Sequence, residues 1–269
     1  LIARGNDRRR IYLDDTDRWR FLELLREVKD RYRWRVLAYC LMGNHYHLLA
    51  QTLDGQLSRG MRQLNGVYAQ WLNRRHGRVG HVFQGRYVGR LVQADGHVLA
   101  SARYIVRNPV AVGLCARPSE WPWSSCRATL GVEPDCCCDD VFLLSFYGTT
   151  EEGARRLYRE HVEHGDDQAD AGHPLVVGDD AYIRGVLERL EPRPGVPVRY
   201  RRALRPPLRD VLGANPDAAA LDRARDCGYS LREIAREVGV GASTISRRLR
   251  RQRAPAGIEP AGGYATTRT

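Results

Sequence analysis

Residues 34–51 read WRVLAYCLMGNHYHLLAQ. Two runs rich in aromatic and other apolar residues, Trp34–Leu41 and His45–Gln51, flank Gly43-Asn44. Gly-Asn is a turn signal, so the stretch predicts a β-hairpin. On the second strand His45 and His47 stand two residues apart and therefore point to one face. Their backbones lie roughly 6 to 7 Å apart along the strand. Tyr46 and Leu48 are left for the opposite, packed face. Two imidazoles that close can converge on one divalent cation. Taken alone, H-x-H is weak evidence, because such pairs also occur on strands that bind nothing.

The flanks predict how the hairpin is housed. Leu1–Ala3 reads as the end of a strand, and Gly5, Asn6 and Asp7 make a turn. The chain opens on Leu1, so this first strand is expected to be short. From Thr16 to Arg31 the positions of Trp19, Phe21, Leu22, Leu24, Leu25 and Val28 mark an amphipathic helix. A long helix follows over Leu57–Arg75, with Leu57, Met61, Leu64, Val67, Tyr68, Trp71 and Leu72 on one face. Tyr87–Val92 is a further strand. Asp95 then caps a helix to about Arg107, and Pro109 disfavours helical geometry at Asn108. The order β-α-β-β-α-β is that of a split βαβ unit. The expected fold is α+β, a ferredoxin-like sandwich with an antiparallel sheet and two helices on one face.

The helix before Pro109 carries Tyr104, with Asn108 one turn on and on the same face. Asn108 offers a carbonyl oxygen, an acceptable third ligand to Mg²⁺ or Mn²⁺ beside two imidazoles. Each residue also has a plainer reading, Tyr104 as a core aromatic and Asn108 as a helix stop.

Charge adds a second theme. Lys and Arg number 43 against 32 Asp and Glu, a net charge of +11, and Lys29 is the only lysine. Arginine codon bias accounts for part of this, but a planar fork of donors also suits phosphate. No stretch of about 18 apolar residues occurs, which argues against a transmembrane helix, and no charged-then-apolar leader is visible. The seven cysteines form no C-x-x-C pair. They suggest a reduced, cytoplasmic protein with no disulfide framework, in which Cys136, Cys137 and Cys138 are incidental loop thiols. No H-E-x-x-H motif speaks for a zinc hydrolase.

Toward the C-terminus, Ser230 with Glu233 forms a capping box, and Leu231, Ile234, Ala235 and Val238 face inward. Gly239-Val240-Gly241 turns the chain into a second helix, with Ile245 and Leu249 inward and Ser243, Thr244, Arg247 and Arg248 toward solvent. This is a helix-turn-helix pattern. The expected organisation is a site domain over 1–130, a helical extension over 131–175, an all-α helix-turn-helix domain over 176–254 and a disordered tail over 255–269. Polar linkers are expected at 166–172 and 192–207.

The spacing from His45-Tyr46-His47 to Arg103-Tyr104-Ile105-Val106-Arg107-Asn108-Pro109-Val110 resembles that of the single-tyrosine HUH transposases. Arg4-Gly5-Asn6-Asp7-Arg8-Arg9, Phe83-Gln84-Gly85-Arg86-Tyr87 and Trp121-Pro122-Trp123-Ser124-Ser125 extend the likeness, and the REP-associated tyrosine transposases are the nearest branch. The resemblance covers residues 1 to about 130. It implies a DNA strand-transfer enzyme acting on single-stranded DNA beside hairpins. Tyr104 is then the nucleophile that forms a 5′-phosphotyrosine, His45 and His47 are metal ligands, and Asn108 is the third. Arg8, Arg9, Arg62, Arg86, Arg90, Arg103 and Arg107 are expected along the DNA path. Ser243, Thr244, Arg247 and Arg248 are expected on duplex DNA, in a domain that resembles the one closing the replication initiator DnaA. The alternative reading is a domesticated regulator with an idle site, binding DNA through the helix-turn-helix. Either a monomer or a homodimer fits.

Overall fold

The computed structural model describes residues 1–93, 96–164, 176–189, 208–213, 216–227 and 229–253. Asp95, the expected linkers at 166–172 and 192–207, and the tail over 255–269 lie outside the described residues. The chain forms two compact units, Leu1–Gly185 and Val186–Thr269.

The first unit is built on three strands in the order β1-β3-β2: β1 Ile2–Arg4, β2 Trp34–Leu41 and β3 His45–Thr52. All neighbours are antiparallel. Val88 bridges Ile2 on the outer side of β1, with reciprocal backbone bonds of 2.8 Å. The crossing order is thus that of the expected ferredoxin-like sandwich. The expected strand over Tyr87–Val92 is reduced, however, to this single bridge. Its last two residues, β4 Leu91–Val92, pair in parallel with β5 Val176–Val177 instead. A three-residue β1 offers too short an edge for more.

Helices α1 Asp15–Arg31 and α2 Leu57–Arg75 cover one face of the sheet. Phe21, Leu25, Val28, Leu64 and Tyr68 are fully buried there against Tyr46 and Leu48. Asp14 and Asp17 close a capping box at the start of α1. Arg75 at the end of α2 donates to both carboxylates, joining the two helices. Gly60 lies so close to the Trp34 ring that a Cβ there would overlap it. Trp19 and Val67, expected inside, are 61% and 38% exposed.

The second face carries helix α3, Gly96–Ala111. A register shift between Val36 and Ala38 turns Leu37 and Ala38 to this side together. They pack with Cys40 and Leu49 against Val98, Ala102, Ile105 and Val106. Short helices α4 Cys126–Thr129 and α5 Asp140–Leu144 and the longer α6 Glu151–His164 complete this core. Cys137 and Cys138 are buried, not incidental: their thiols donate to the Leu22 and Leu37 carbonyls. Trp121 and Trp123 tie the loop after α3 to β2, through Trp121 Nε1 to Leu41 O and Leu41 N to Trp123 O.

Helix α7, Asp180–Arg189, follows β5. Pairing with β4 draws Val176–Gly185 into the first unit, ten residues beyond the boundary expected at 176. The second unit contains α8 Leu208–Leu212, α9 Ala218–Asp226, α10 Leu231–Val238 and α11 Ala242–Arg253. Its core holds Leu212, Leu221, Ala224, Ile234, Ala235, Ile245 and Leu249. The Ser230–Glu233 capping box forms in both directions. Gly239 takes φ 71°, a left-handed cap that suits glycine.

Candidate active site

The hairpin sets the two histidines. Met42 N donates to His45 O at 2.9 Å, closing the turn around Gly43-Asn44. Tyr46 is fully buried on the α1–α2 side and its hydroxyl donates to Asn65 Oδ1 at 2.6 Å. That anchor fixes the pleat and sends His45 and His47 to the α3 side. The two rings are 5.0 Å apart, centre to centre.

Neighbours set their protonation. Asn44 Nδ2 donates to Arg8 O at 3.1 Å, so its Oδ1 is left to accept from His45 Nδ1 at 2.7 Å. His45 therefore carries its proton on Nδ1 and keeps a lone pair on Nε2. His47 Nε2 is buried without a hydrogen-bond partner. Burial lowers the pKa of His47 to about 3, with His45 adding to the effect. Burial and then Arg4 lower that of His45. Both imidazoles are thus neutral at neutral pH, as metal ligands must be. An orphaned ring nitrogen beside a second free one fits a divalent cation.

Tyr104 projects from α3 with its ring 5.8 Å from that of His47 and 51% of its surface exposed. α3 does not stop at Arg107 as expected but runs through Pro109 to Ala111. A helical proline leaves the carbonyl four residues back without its donor. That carbonyl is Ile105 O, which Asn108 Nδ2 reaches at 3.4 Å while donating chiefly to Tyr104 O at 2.7 Å.

Arg103 and Arg107, expected along the DNA path, are instead turned to α6. Arg103 is 8% exposed and donates from Nε to His161 O at 2.8 Å. Arg107 donates to Val162 O at 2.7 Å. Cations at a helix C-terminus satisfy its free carbonyls and its dipole. On the other side of Tyr104, Gln93 and Asp179 exchange two hydrogen bonds of 2.8 Å. α3 is thereby held before and after Tyr104.

Among the other expected DNA contacts, Arg8 and Arg9 are exposed in the turn that Asn44 grips. Arg86 is exposed and Arg90 half-buried near Val88. Arg62 is exposed on α2, across the sheet from the histidines. Ser243, Arg247 and Arg248 are exposed on α11, and Thr244 is half-buried. Sequence reasoning missed two neighbours of the histidines. Asn44 read only as a turn residue, although its amide precedes His45 directly. Arg4 was visible as a strand residue, but the register that sets it opposite His45 was not.

Two other groups of possible ligands have other employment. Asp14, Asp17 and His76 converge, but Arg75 already fills the space between the carboxylates. Asp135, Cys136 and Cys137 also converge, but Cys137 spends its thiol on Leu22 O.

Residues 1–108 match the family model described as "Transposase IS200 like", and residues 219–252 match that of a helix-turn-helix domain. Over residues 1–108 the chain is thus similar to the IS200-like transposases, and over residues 219–252 to helix-turn-helix domains. Within that class the likeness is to the REP-associated tyrosine transposases. A putative REP-associated tyrosine transposase of Haemophilus influenzae is 26% identical over 136 residues, covering 44% of this chain and 73% of that protein. A solved structure of a REP-associated tyrosine transposase bound to a REP hairpin matches at 20% identity and a TM-score of 0.41, covering 49% of this chain and 79% of that one.

Proposed function

We propose that this protein nicks and rejoins single-stranded DNA near hairpins, through a covalent 5′-phosphotyrosine. The observation that carries the reading is the meeting of His45, His47 and Tyr104 within one chain. The Tyr104 hydroxyl attacks the scissile phosphorus in line. A P–O bond to tyrosine forms, the P–O3′ bond breaks, and the phenolic proton is balanced by the proton gained at the 3′-hydroxyl. The new ester conserves the energy of the old one, so a second 3′-OH can reverse the step without ATP. His45 Nε2, His47 Nε2 and Asn108 Oδ1 would hold Mg²⁺ or Mn²⁺, which when bound withdraws charge from a phosphate oxygen. The neutral imidazoles serve that purpose without competing protons. Since nucleophile and histidines meet in one chain, a monomer can act alone.

The second unit would read duplex DNA, a hairpin stem or a promoter, through Ser243, Thr244, Arg247 and Arg248. Arg8, Arg9 and Arg86 would follow the backbone of the strand. Among the described residues no helix is long and apolar enough to cross a membrane, and we assign the protein to the cytoplasm with its DNA.

The test uses single-stranded oligonucleotides from the gene's own flanks, hairpins included, with Mg²⁺ or Mn²⁺. A covalent protein–DNA adduct on a denaturing gel, absent with Tyr104→Phe and His45→Ala, is the expected result. Tight binding by folded protein with no adduct would favour the idle regulator.

A further inference from the structure

We infer that Arg4 is a further catalytic residue, a guanidinium that grips a non-bridging oxygen of the phosphate attacked by Tyr104. The inference rests on the strand-transfer reading above. It begins with register. β1 pairs Arg4 with His45 and Ile2 with His47. Directly opposed residues of antiparallel strands project to the same face. Arg4 therefore rises beside the paired histidines, on the side of the sheet that carries Tyr104.

The backbone at Arg4 is held on both edges. Gly5 N donates to Asn44 O at 2.8 Å, and Gln84 N donates to Arg4 O at 2.9 Å. The strand then turns at Gly5, where a Cβ would overlap the Arg9 carbonyl oxygen. Arg4 is fixed at its base and exposed at its tip.

Two arginines on the helix of Tyr104 already have acceptors: Arg103 and Arg107 are spent on helix carbonyls. Among the described residues the Arg4 side chain has no hydrogen bond or ion pair, though its charge is felt at both His45 and His47. A guanidinium beside two imidazoles, with no anion to balance it, is placed for an anion that arrives. A phosphodiester at the Tyr104 hydroxyl is that anion.

The chemistry needs such a group. As the P–O bond to Tyr104 forms and the P–O3′ bond breaks, the phosphorus passes through a five-coordinate state with more charge on its non-bridging oxygens. A preplaced guanidinium stabilises that charge more than it does the ground state. Arg4 stays protonated throughout and exchanges no atom. The proton balance remains that of the phenol and the 3′-hydroxyl.

The experiment uses the full chain and two versions of one oligonucleotide, with a phosphodiester or a neutral methylphosphonate at the scissile linkage. The rate of adduct formation and the oligonucleotide affinity are measured for wild type, Arg4→Lys and Arg4→Met. On the phosphodiester, Arg4→Met is expected to slow the adduct by about 10²- to 10³-fold, with a much smaller change in affinity. Arg4→Lys keeps the charge without the fork and is expected to fall between. On the methylphosphonate the penalty for either substitution should shrink by at least about tenfold, because the charge Arg4 meets is gone. Equal penalties on both linkages, or adduct formation by Arg4→Met at the wild-type rate, would overturn the assignment and leave the strand-transfer reading standing. If Arg4→Met does not fold, the same comparison is made with Arg4→Lys. Wild-type protein that binds the oligonucleotide but forms no adduct overturns the strand-transfer reading, and this assignment with it.

Discussion

His45 and Asn44 show how one side chain prepares another. The Asn44 amide is oriented by the Arg8 carbonyl and in turn holds His45 Nδ1. Such outer partners fix the tautomer and raise the basicity of a ligand. Asn44→Ala is expected to weaken Mn²⁺ binding by about 10- to 100-fold without unfolding the protein, as measured by calorimetric titration. Unchanged affinity would mean that His45 is oriented by its strand alone. The shared face of His45 and His47 was legible because it follows from spacing on a strand, and their meeting with Tyr104 only through the resemblance. Asn44 was not, because the same residue also serves a turn. Arg103 and Arg107 were misplaced for a different reason. Their charge is visible in the sequence, but the carbonyls they satisfy lie 58 and 55 residues away.

At the scale of the element, α3 is the informative case. Pro109 read as a stop because proline removes a donor and crowds the preceding turn. The helix continues through Pro109 all the same, with Asn108 Nδ2 bonded to Tyr104 O and reaching the freed Ile105 O. In the metal-free protein, Asn108→Ala is expected to cost about 0.5 to 1.5 kcal/mol, since it removes this side-chain splint. Chemical denaturation in the presence of a chelator measures this apart from any ligand role, and an unchanged midpoint would remove the splint. α2 and β2 were legible to the residue and β3 to within one, since each is specified by its own periodicity and turn. The strand expected over Tyr87–Val92 was not. Its pattern is extended, but its partner is chosen from afar, by Val176–Val177.

At the scale of the whole molecule, the proposed function gives the first unit the chemistry and the second the reading of DNA. If these roles are separate, they can be altered separately. Replacing Arg247 and Arg248 with alanine is expected to weaken binding to duplex DNA and to lower the slope of log K against log salt by about 2. Adduct formation on a minimal single strand should be unchanged. Filter binding across a salt series, beside the gel assay, measures both. A fall in adduct formation to match the lost affinity would show that the strand is captured through α11. The helix-turn-helix was legible from its capping box and glycine turn, which are local signals. The pairing of β5 with β4 was not legible, because it is a ladder between distant segments rather than a feature of composition.

The bonds from Arg103 and Arg107 to α6 also order events in time. During synthesis the two histidines and Tyr104 leave the ribosome first. The carbonyl that receives Arg103 follows 58 residues later, and the strand that pairs with β4 later still. A nascent chain therefore holds every reacting group before it holds the frame that aims them. Chains that end early, by stalling or by a premature stop after residue 130, carry the ligands and the tyrosine but lack the brace.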